Sequence, residues 1–389
     1  MGKIRNLCMT QLVRMKKIKE PDMYTWIFSS VDNCYYNYNS RYLFEYVKEH
    51  LPQITPIFVI NEEGLRRELS KKYGEQYFIE TESKEGIRRV LEAGVWFTSA
   101  GLPVYGPRLG RNRLIINLWH GVPLKRIALM DPNLKKMSRI YFKKIFSENY
   151  TWILTTAREL IPVMAKSFQV CEEQIRVWGQ PRNDLIFFPP DRKKILGEIY
   201  PALPNYQKVI LYAPTFRDYG NTRLFPFEDF DKKAFQDFLE KEQILLLLRL
   251  HIKEATAAED FVNSRIRCFG SKEVGDVTGM LGMFDLLITD YSSIYIDYLL
   301  TDKPMIFLPY DKERYLDGRG MNFDYEEVTP GPKPKTMKEF TEELRAFCHG
   351  EDSWKQKREQ VSKKFNEIRR PCSADICKQV LLEIKKRTE

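Results

Sequence analysis

Short apolar, β-rich runs alternate with helical patterns along nearly the whole sequence, and that alternation restricts the chain to a parallel α/β architecture. The first series is TWIFSS near Trp26, ITPIFVI near Ile57, VWFTSA near Trp96, LIINLW from Leu114 and TWILTT from Trp152. Between these runs RYLFEYVKEHL, after Ser40, carries Leu43, Tyr46, Val47 and Leu51 on one helical face, and GLRRELSKKYG follows the second run in the same way.

A second series begins after Pro189-Pro190: VILYAPT from Val209, ILLLLRL from Ile244, IRCFG from Ile266, DLLIT from Asp285 and PMIFLPY from Pro304. These runs lack polar alternation, as strands buried on both faces should. The fold class expected is α/β, two doubly wound Rossmann-like domains facing a cleft. The break near residues 188–206, where PP and PALPNY interrupt the pattern, separates domain 1–195 from domain 196–370. Residues from Met337 onward read as helices, and 371–389 is expected to be a C-terminal helix that packs back on the N-terminal domain. In such a fold ligands bind at the carboxyl ends of strands, so strand exits are where functional residues are sought.

At 389 residues with 43% hydrophobic residues, the chain suits two ordered domains of ordinary size. A net charge of +9 favours anionic company, whether nucleic acid, anionic lipid or phosphorylated substrate. Seven cysteines form no CxxC pair or Cys/His cluster, so they are expected to be scattered buried thiols rather than zinc ligands or a disulfide framework. No run approaches the roughly 20 apolar residues of a membrane span. Basic Arg5, Arg14, Lys16 and Lys17 interrupt any secretory signal, so the expected location is cytoplasmic.

LIINLW ends in His120-Gly121-Val122-Pro123, and LKRIALM then has helical spacing, with Pro123 suited to a first turn. An imidazole at that corner can take a proton from an alcohol near neutral pH; a packed or capping histidine is the alternative. Arg249 and His251 alternate at the end of ILLLLRLH and so share one face, where His251 can meet a phosphate oxygen or a leaving group, or be a plain edge histidine. His50 and His349 read as helix-surface residues. DLLIT runs through Asp290 into Ser292-Ser293 at the start of a helical pattern, where free N–H groups and hydroxyls can hold a diphosphate, although capping serines are common. VILYAPT leads to Thr215 and Arg217, a guanidinium able to grip phosphate through two bonds or to sit in a surface loop. Arg314 and Arg319-Gly320 follow the last strand, where another phosphate-binding loop is expected.

There is no GxGxxG after the first strand and no GxxxxGK[ST], which counts against dinucleotide and P-loop chemistry. Asp229-Phe230-Asp231 has the spacing of a metal-binding carboxylate pair but reads as the start of a helix, and no metal or other cofactor is expected.

Taken in order, NLWHGVPLKR, GQPRND, YAPTFRD, RLH, TDYSSIYIDYLLTDKPMIFLPYD and the later RG resemble the CDP-glycerol glycerophosphotransferases of teichoic acid and capsule synthesis, over about Trp26 to Asn322. The resemblance implies the two-lobed glycosyltransferase B fold, CDP-glycerol as donor substrate and a lipid-linked saccharide acceptor at the cytoplasmic membrane face. It implies His120 as base and His251 as phosphate stabiliser. The donor would be held by Thr215, Arg217, Arg249, Thr289, Asp290, Ser292, Ser293, Asp297, Arg319 and Gly320, and the acceptor side framed by Gly121, Pro123 and Lys125. Ile252 stands where the family commonly has proline, and GQPRND replaces GYPRND.

Two stretches read as basic amphipathic helices for an anionic membrane surface, or as ordinary docked helices. Residues 3–19 hold Ile4, Leu7, Leu12, Met15 and Ile18 among basic side chains. Residues 134–146 place Leu134, Met137, Ile140, Tyr141 and Ile145 beside Lys135, Lys136, Arg139, Lys143 and Lys144. Rival readings are a nucleotide-sugar glycosyltransferase of the same fold, a CDP-ribitol enzyme and a basic nucleic-acid-binding protein. The last would leave His120 and His251 without a role, so no nucleic-acid partner is expected. The sequence leaves oligomeric state open.

Overall fold

The computed structural model describes residues 2–16, 19–217, 219–250 and 252–388, with only the backbone at 252, 253, 255–257 and 316–319. The chain divides into two compact units, Met1–Asp184 with Arg370–Glu389, and Leu185–Arg369.

Unit 1 is built on seven strands: β1 (Asp22–Ser29), β2 (Thr55–Val59), β3 (Phe78–Ile79), β4 (Ala93–Thr98), β5 (Leu114–Asn117), β6 (Trp152–Thr155) and β7 (Ile175–Val177). Their order is β3-β2-β1-β4-β5-β6-β7, and every pairing is parallel. β4 is buried along its whole length, which explains its unbroken apolar run. The two edge strands, β3 and β7, carry too few residues to show a period in the sequence. Helix Tyr38–His50 buries Tyr42, Leu43, Phe44 and Val47, while Tyr46 stays only partly buried. The final helix, Ser373–Thr388, packs against that helix within the same unit.

Unit 2 repeats the scheme with β8 (Lys208–Tyr212), β9 (Ile244–Leu248), β10 (Ile266–Cys268), β11 (Leu286–Thr289) and β12 (Met305–Phe307). The order is β10-β9-β8-β11-β12, again all parallel. Both units are therefore doubly wound α/β sheets, as the alternating pattern predicts. In each sheet the order reverses once, between β1 and β4 and between β8 and β11. A crevice opens at the carboxyl ends of strands at such a reversal, because the flanking crossovers leave toward opposite sides.

One local expectation fails. The segment after His120 is not a helix: Val122, Pro123 and Leu124 are buried in irregular backbone, and only Ala128–Met130 makes a 3-10 turn. Burial of three consecutive apolar residues overrides their helical spacing. The first helix spans Lys3–Arg14, and the second basic stretch is helical over Lys136–Ile145. Among the described residues no helix is long and apolar enough to cross a membrane.

Candidate functional site

In unit 1, His120 follows β5, next to the strand-order reversal. Its Nδ1 lies 2.8 Å from the carbonyl oxygen of Ser99, just beyond β4. A carbonyl can only accept, so Nδ1 carries the proton and Nε2 of the neutral ring is left as the basic nitrogen. Ser99 is itself fastened, because its Oγ accepts from Ser40 N at 2.9 Å while Ser40 Oγ donates to Ser29 O at 2.7 Å. The ends of β1 and β4 and the start of helix Tyr38–His50 thus meet under the imidazole.

The ring stacks on Tyr38 at 5.0 Å with planes 22° apart, and Trp119 lies 4.1 Å away on a tilted plane. Burial pushes the His120 pKa down from the usual 6.5 to about 4, against the Ser99 hydrogen bond that raises it and with a lesser push from the Arg182 charge. His120 is therefore neutral at physiological pH. Beside it Gly121 takes φ of 148°, which a side chain would strain. Pro123 is buried and Lys125 partly buried.

In unit 2 the reversal between β8 and β11 holds a charged hub. Asp290 Oδ1 accepts from Thr215 N at 2.8 Å and Thr215 Oγ1 at 2.6 Å, and Asp290 Oδ2 takes Arg217 Nη2 at 2.8 Å. Arg217 also meets Asp311 through Nε and Nη2 at 2.8 and 3.0 Å and donates to Thr215 O. Three tyrosine rings, Tyr291, Tyr310 and Tyr315, surround its guanidinium at 5.0 to 5.2 Å. Burial pushes the Asp290 carboxyl up, and the Arg217 charge and the Thr215 donors pull it back.

Most of the donor-side candidates are engaged within unit 2. Arg217 is 2% exposed and its two-pronged face is occupied by Asp311, so it orders the loop. Arg249 lies beyond the end of β9 and donates to the carbonyls of Phe269, Val274 and Gly275, which holds the 269–275 loop. Thr289 is fully buried with its hydroxyl on Ala213 O. Asp290 is the centre of the hub, and Asp297 is buried at 2% exposure. Thr215 is partly buried, its hydroxyl committed to Asp290. Backbone carbonyls take up Arg249 and Thr289 while carboxylates take up Arg217 and Thr215, pairings that spacing alone cannot show.

Ser292 and Ser293 remain partly exposed at the same crevice. The helix they precede, Ile294–Tyr298, has five residues, and Ser293 makes no side-chain cap bond. Gly320 ends helix Lys312–Arg319 with φ of 71°; the Arg319 side chain and the whole of His251 lie outside the described residues. Arg314 stacks on Tyr219 at 4.3 Å. Asp231 caps helix Lys232–Lys241 through Ala234 N, and Asp229 accepts from Met337 N at 2.7 Å, so both carboxylates serve helix starts. Among the described residues no group of three His, Cys, Asp or Glu side chains is placed to hold a metal ion.

Sequence reasoning missed a cavity of about 700 Å³ in unit 2, beside the hub. Its walls include Phe227, Leu308 and Tyr310, with Lys312, Lys333 and Lys335 balanced by Glu228, Asp229 and Glu326. Its lining comes from four separate segments, which no local motif links. The cysteines are all free, but only Cys372 and Cys377 are buried, contrary to the expectation for all seven.

The two basic helices show an inverted surface. In Lys3–Arg14 the polar Asn6 and Thr10 are buried, Asn6 Nδ2 donating to Thr81 O at 3.2 Å and Asn6 Oδ1 accepting from Tyr105 N at 2.9 Å. Ile4, Leu12 and Met15 are 76%, 53% and 83% exposed, one apolar stripe at helical spacing. In Lys136–Ile145, Met137 and Ile140 are exposed beside Lys136, Lys143 and Lys144, whereas Ile145 turns inward. Lys135 precedes that helix and is exposed, and Lys144 pairs with Glu148 at 2.7 Å. Arg139 departs from the membrane-facing set, because it donates to the carbonyls of Leu129, Asp131 and Leu134.

Two doubly wound parallel sheets with polar clusters at their reversals define a chain of the glycosyltransferase B type. A variant of the wall teichoic acid polymerase TagF superposes with a TM-score of 0.80 at 24% identity, over 99% of this chain and 95% of that one. The sequence profile of the CDP-glycerol:poly(glycerophosphate) glycerophosphotransferases matches residues 11–381, and the chain belongs to that family. It is 30% identical over 338 residues to the teichoic acid poly(glycerol phosphate) polymerase of Bacillus subtilis (strain 168), covering 82% of this chain and 43% of that protein. The chain thus spans less than half the length of that relative. With the teichoic acid glycerol-phosphate transferase of Staphylococcus aureus (strain NCTC 8325 / PS 47) it shares 28% identity over 81% of each chain.

Proposed function

We propose that this protein moves glycerol phosphate from CDP-glycerol to a hydroxyl of a lipid-linked (undecaprenyl-diphosphate) saccharide, releasing CMP, in the synthesis of teichoic acid or a related cell-wall or capsule polymer. The observation that carries the reading is the protonated Nδ1 of His120 on Ser99 O at 2.8 Å, which leaves Nε2 free of its proton. Nε2 takes the proton of the acceptor hydroxyl as its oxygen attacks the β-phosphorus. The bond from that phosphorus to the oxygen bridging to the α-phosphate breaks, and CMP leaves with the electron pair. Catalysis of this kind rests on position and charge. Ser292 and Ser293, which follow Asp290 of the hub at the end of β11, are the donor-side groups we assign to the diphosphate, with His251 and Arg319-Gly320 on the leaving group.

The acceptor's lipid requires apposition to a membrane, and the exposed apolar stripe Ile4, Leu12, Met15 with flanking Lys3, Arg5, Lys16 and Lys19 suits the inner face of an anionic bilayer. Met137 and Ile140 among Lys135, Lys136, Lys143 and Lys144 form a second such patch. The deciding experiment incubates the protein with a lipid-disaccharide analogue and CDP-glycerol, CDP-ribitol or a UDP-sugar, and reads product mass and released nucleotide. Addition of one glycerol phosphate with CMP is expected. Transfer only from CDP-ribitol would change the donor, release of UDP would make the protein a glycosyltransferase, and near-normal turnover by His120→Ala would remove the base.

A further inference from the structure

The backbone leading into His120 is held in a conformation that bulky residues rarely adopt. Trp119 has φ of 53° and Tyr38, the residue stacked on the imidazole, has φ of 57°. Left-handed aromatic residues persist only where surrounding bonds over-determine them, and such sites cluster where geometry matters. Both are tied to one side chain. Asn39, which follows Tyr38 directly, is fully buried, and its Nδ2 donates to Leu118 O at 3.1 Å and Trp119 O at 2.9 Å. Its Oδ1 accepts from Arg182 N at 3.1 Å, and Gln180 Oε1 stands 3.4 Å from its Nδ2. From the other side Trp119 N donates to Asn117 Oδ1 at 2.9 Å.

We propose that Asn39 is the positioning residue for His120: its amide fixes the Leu118–Trp119 corner and the start of helix Tyr38–His50 together, so that the imidazole is held between Tyr38 and Trp119 in one tautomer. The proposal rests on the reading of His120 as the base. Asn39 does not touch substrate. It supplies two donors to the two carbonyls that immediately precede the histidine, which a carboxylate or an aliphatic side chain cannot do. Loss of those donors lets Trp119 relax toward negative φ and turns the histidine away from Ser99 O.

The test is Asn39→Asp, which keeps the shape and the acceptor for Arg182 N but sets an oxygen against the Leu118 and Trp119 carbonyls. Since a displacement of about 1 Å costs about 100-fold in rate, kcat should fall about that far. The KM for CDP-glycerol should stay within about twofold, as for an interaction made only in the transition state. Asn39→Ser, which retains one short donor, is the companion if the aspartate variant does not fold, and an intermediate loss of kcat is expected of it. Imidazole nitrogen resonances, assigned by difference with His120→Ala, give a readout independent of turnover. The wild-type ring should show only the Nδ1–H tautomer, and Asn39→Asp a mixture. Near-wild-type kcat in a folded Asn39 variant while His120→Ala is inactive overturns the positioning role alone, as does a mixed tautomer in the wild type. Near-wild-type kcat in His120→Ala overturns the reading beneath it.

Discussion

Lowering the pH tests the His120 environment directly. Burial between Tyr38 and Trp119 takes its pKa from the usual 6.5 to about 4. At about 1.4 kcal/mol per tenfold change in proton affinity, protonating the folded protein costs about 3 kcal/mol more than protonating the unfolded chain, a ceiling because the residue is only partly buried. The sign follows from a depressed folded-state value: the contribution is fully present above pH 6.5 and is lost as pH falls through 6.5 toward 4. Two measurements read it. The acid limb of kcat/KM for the wild type should lie near pH 4, leaving activity flat from 5 to 7 as far as this group is concerned. In urea unfolding, the stability advantage of His120→Gln over the wild type should grow from pH 7 down to pH 4 by no more than about 3 kcal/mol. Tyr38→Ala, which opens one side of the ring, should move the limb up toward 6.5. A wild-type limb already at 6.5, or a Tyr38→Ala limb that does not move, would refute burial as the cause.

Arg217→Met strands Asp290 and Asp311 without their common partner, and breaking a buried pair from one side costs about 3–5 kcal/mol, to be read as a lowered urea midpoint. Thr215→Val removes a 2.6 Å bond to Asp290 and should cost about 1–3 kcal/mol while raising the KM for CDP-glycerol more than it lowers kcat. Glutamate at Lys135, Lys136, Lys143 and Lys144 together should weaken flotation with anionic liposomes, about 1 kcal/mol per charge removed near the surface; unchanged flotation would take this helix out of the membrane account. Arg139→Gln, by contrast, should lower stability through the lost carbonyl contacts and leave liposome binding nearly unchanged.

Much of the site's location was legible because crossovers in a parallel sheet must leave from strand ends, so a polar residue just after a buried apolar run has few places to be. His120 after LIINLW, Thr215 after VILYA and Ser292 after DLLIT all stand at carboxyl ends beside a reversal of strand order. What each side chain does there was less legible. Arg217, Arg249 and Arg139 look alike in a sequence as cations near a strand end or a helix, yet one closes a buried hub and two hold loop carbonyls. Asn39 carries no signal at all, since its partners are 79, 80 and 143 positions away.

The sequence by itself determined the class of sheet, the number of units and the strand ends at which chemistry can be placed, because apolar periodicity and crossover geometry are local or nearly so. Tertiary structure alone decided which polar groups are left for a ligand. A buried carbonyl or carboxylate must be paired by whatever donor the fold brings to it, and that choice is made between residues far apart in the chain. The same physics turned the Lys3–Arg14 helix over: Asn6 answers Thr81 O and Tyr105 N inside, and so Ile4, Leu12 and Met15 face out.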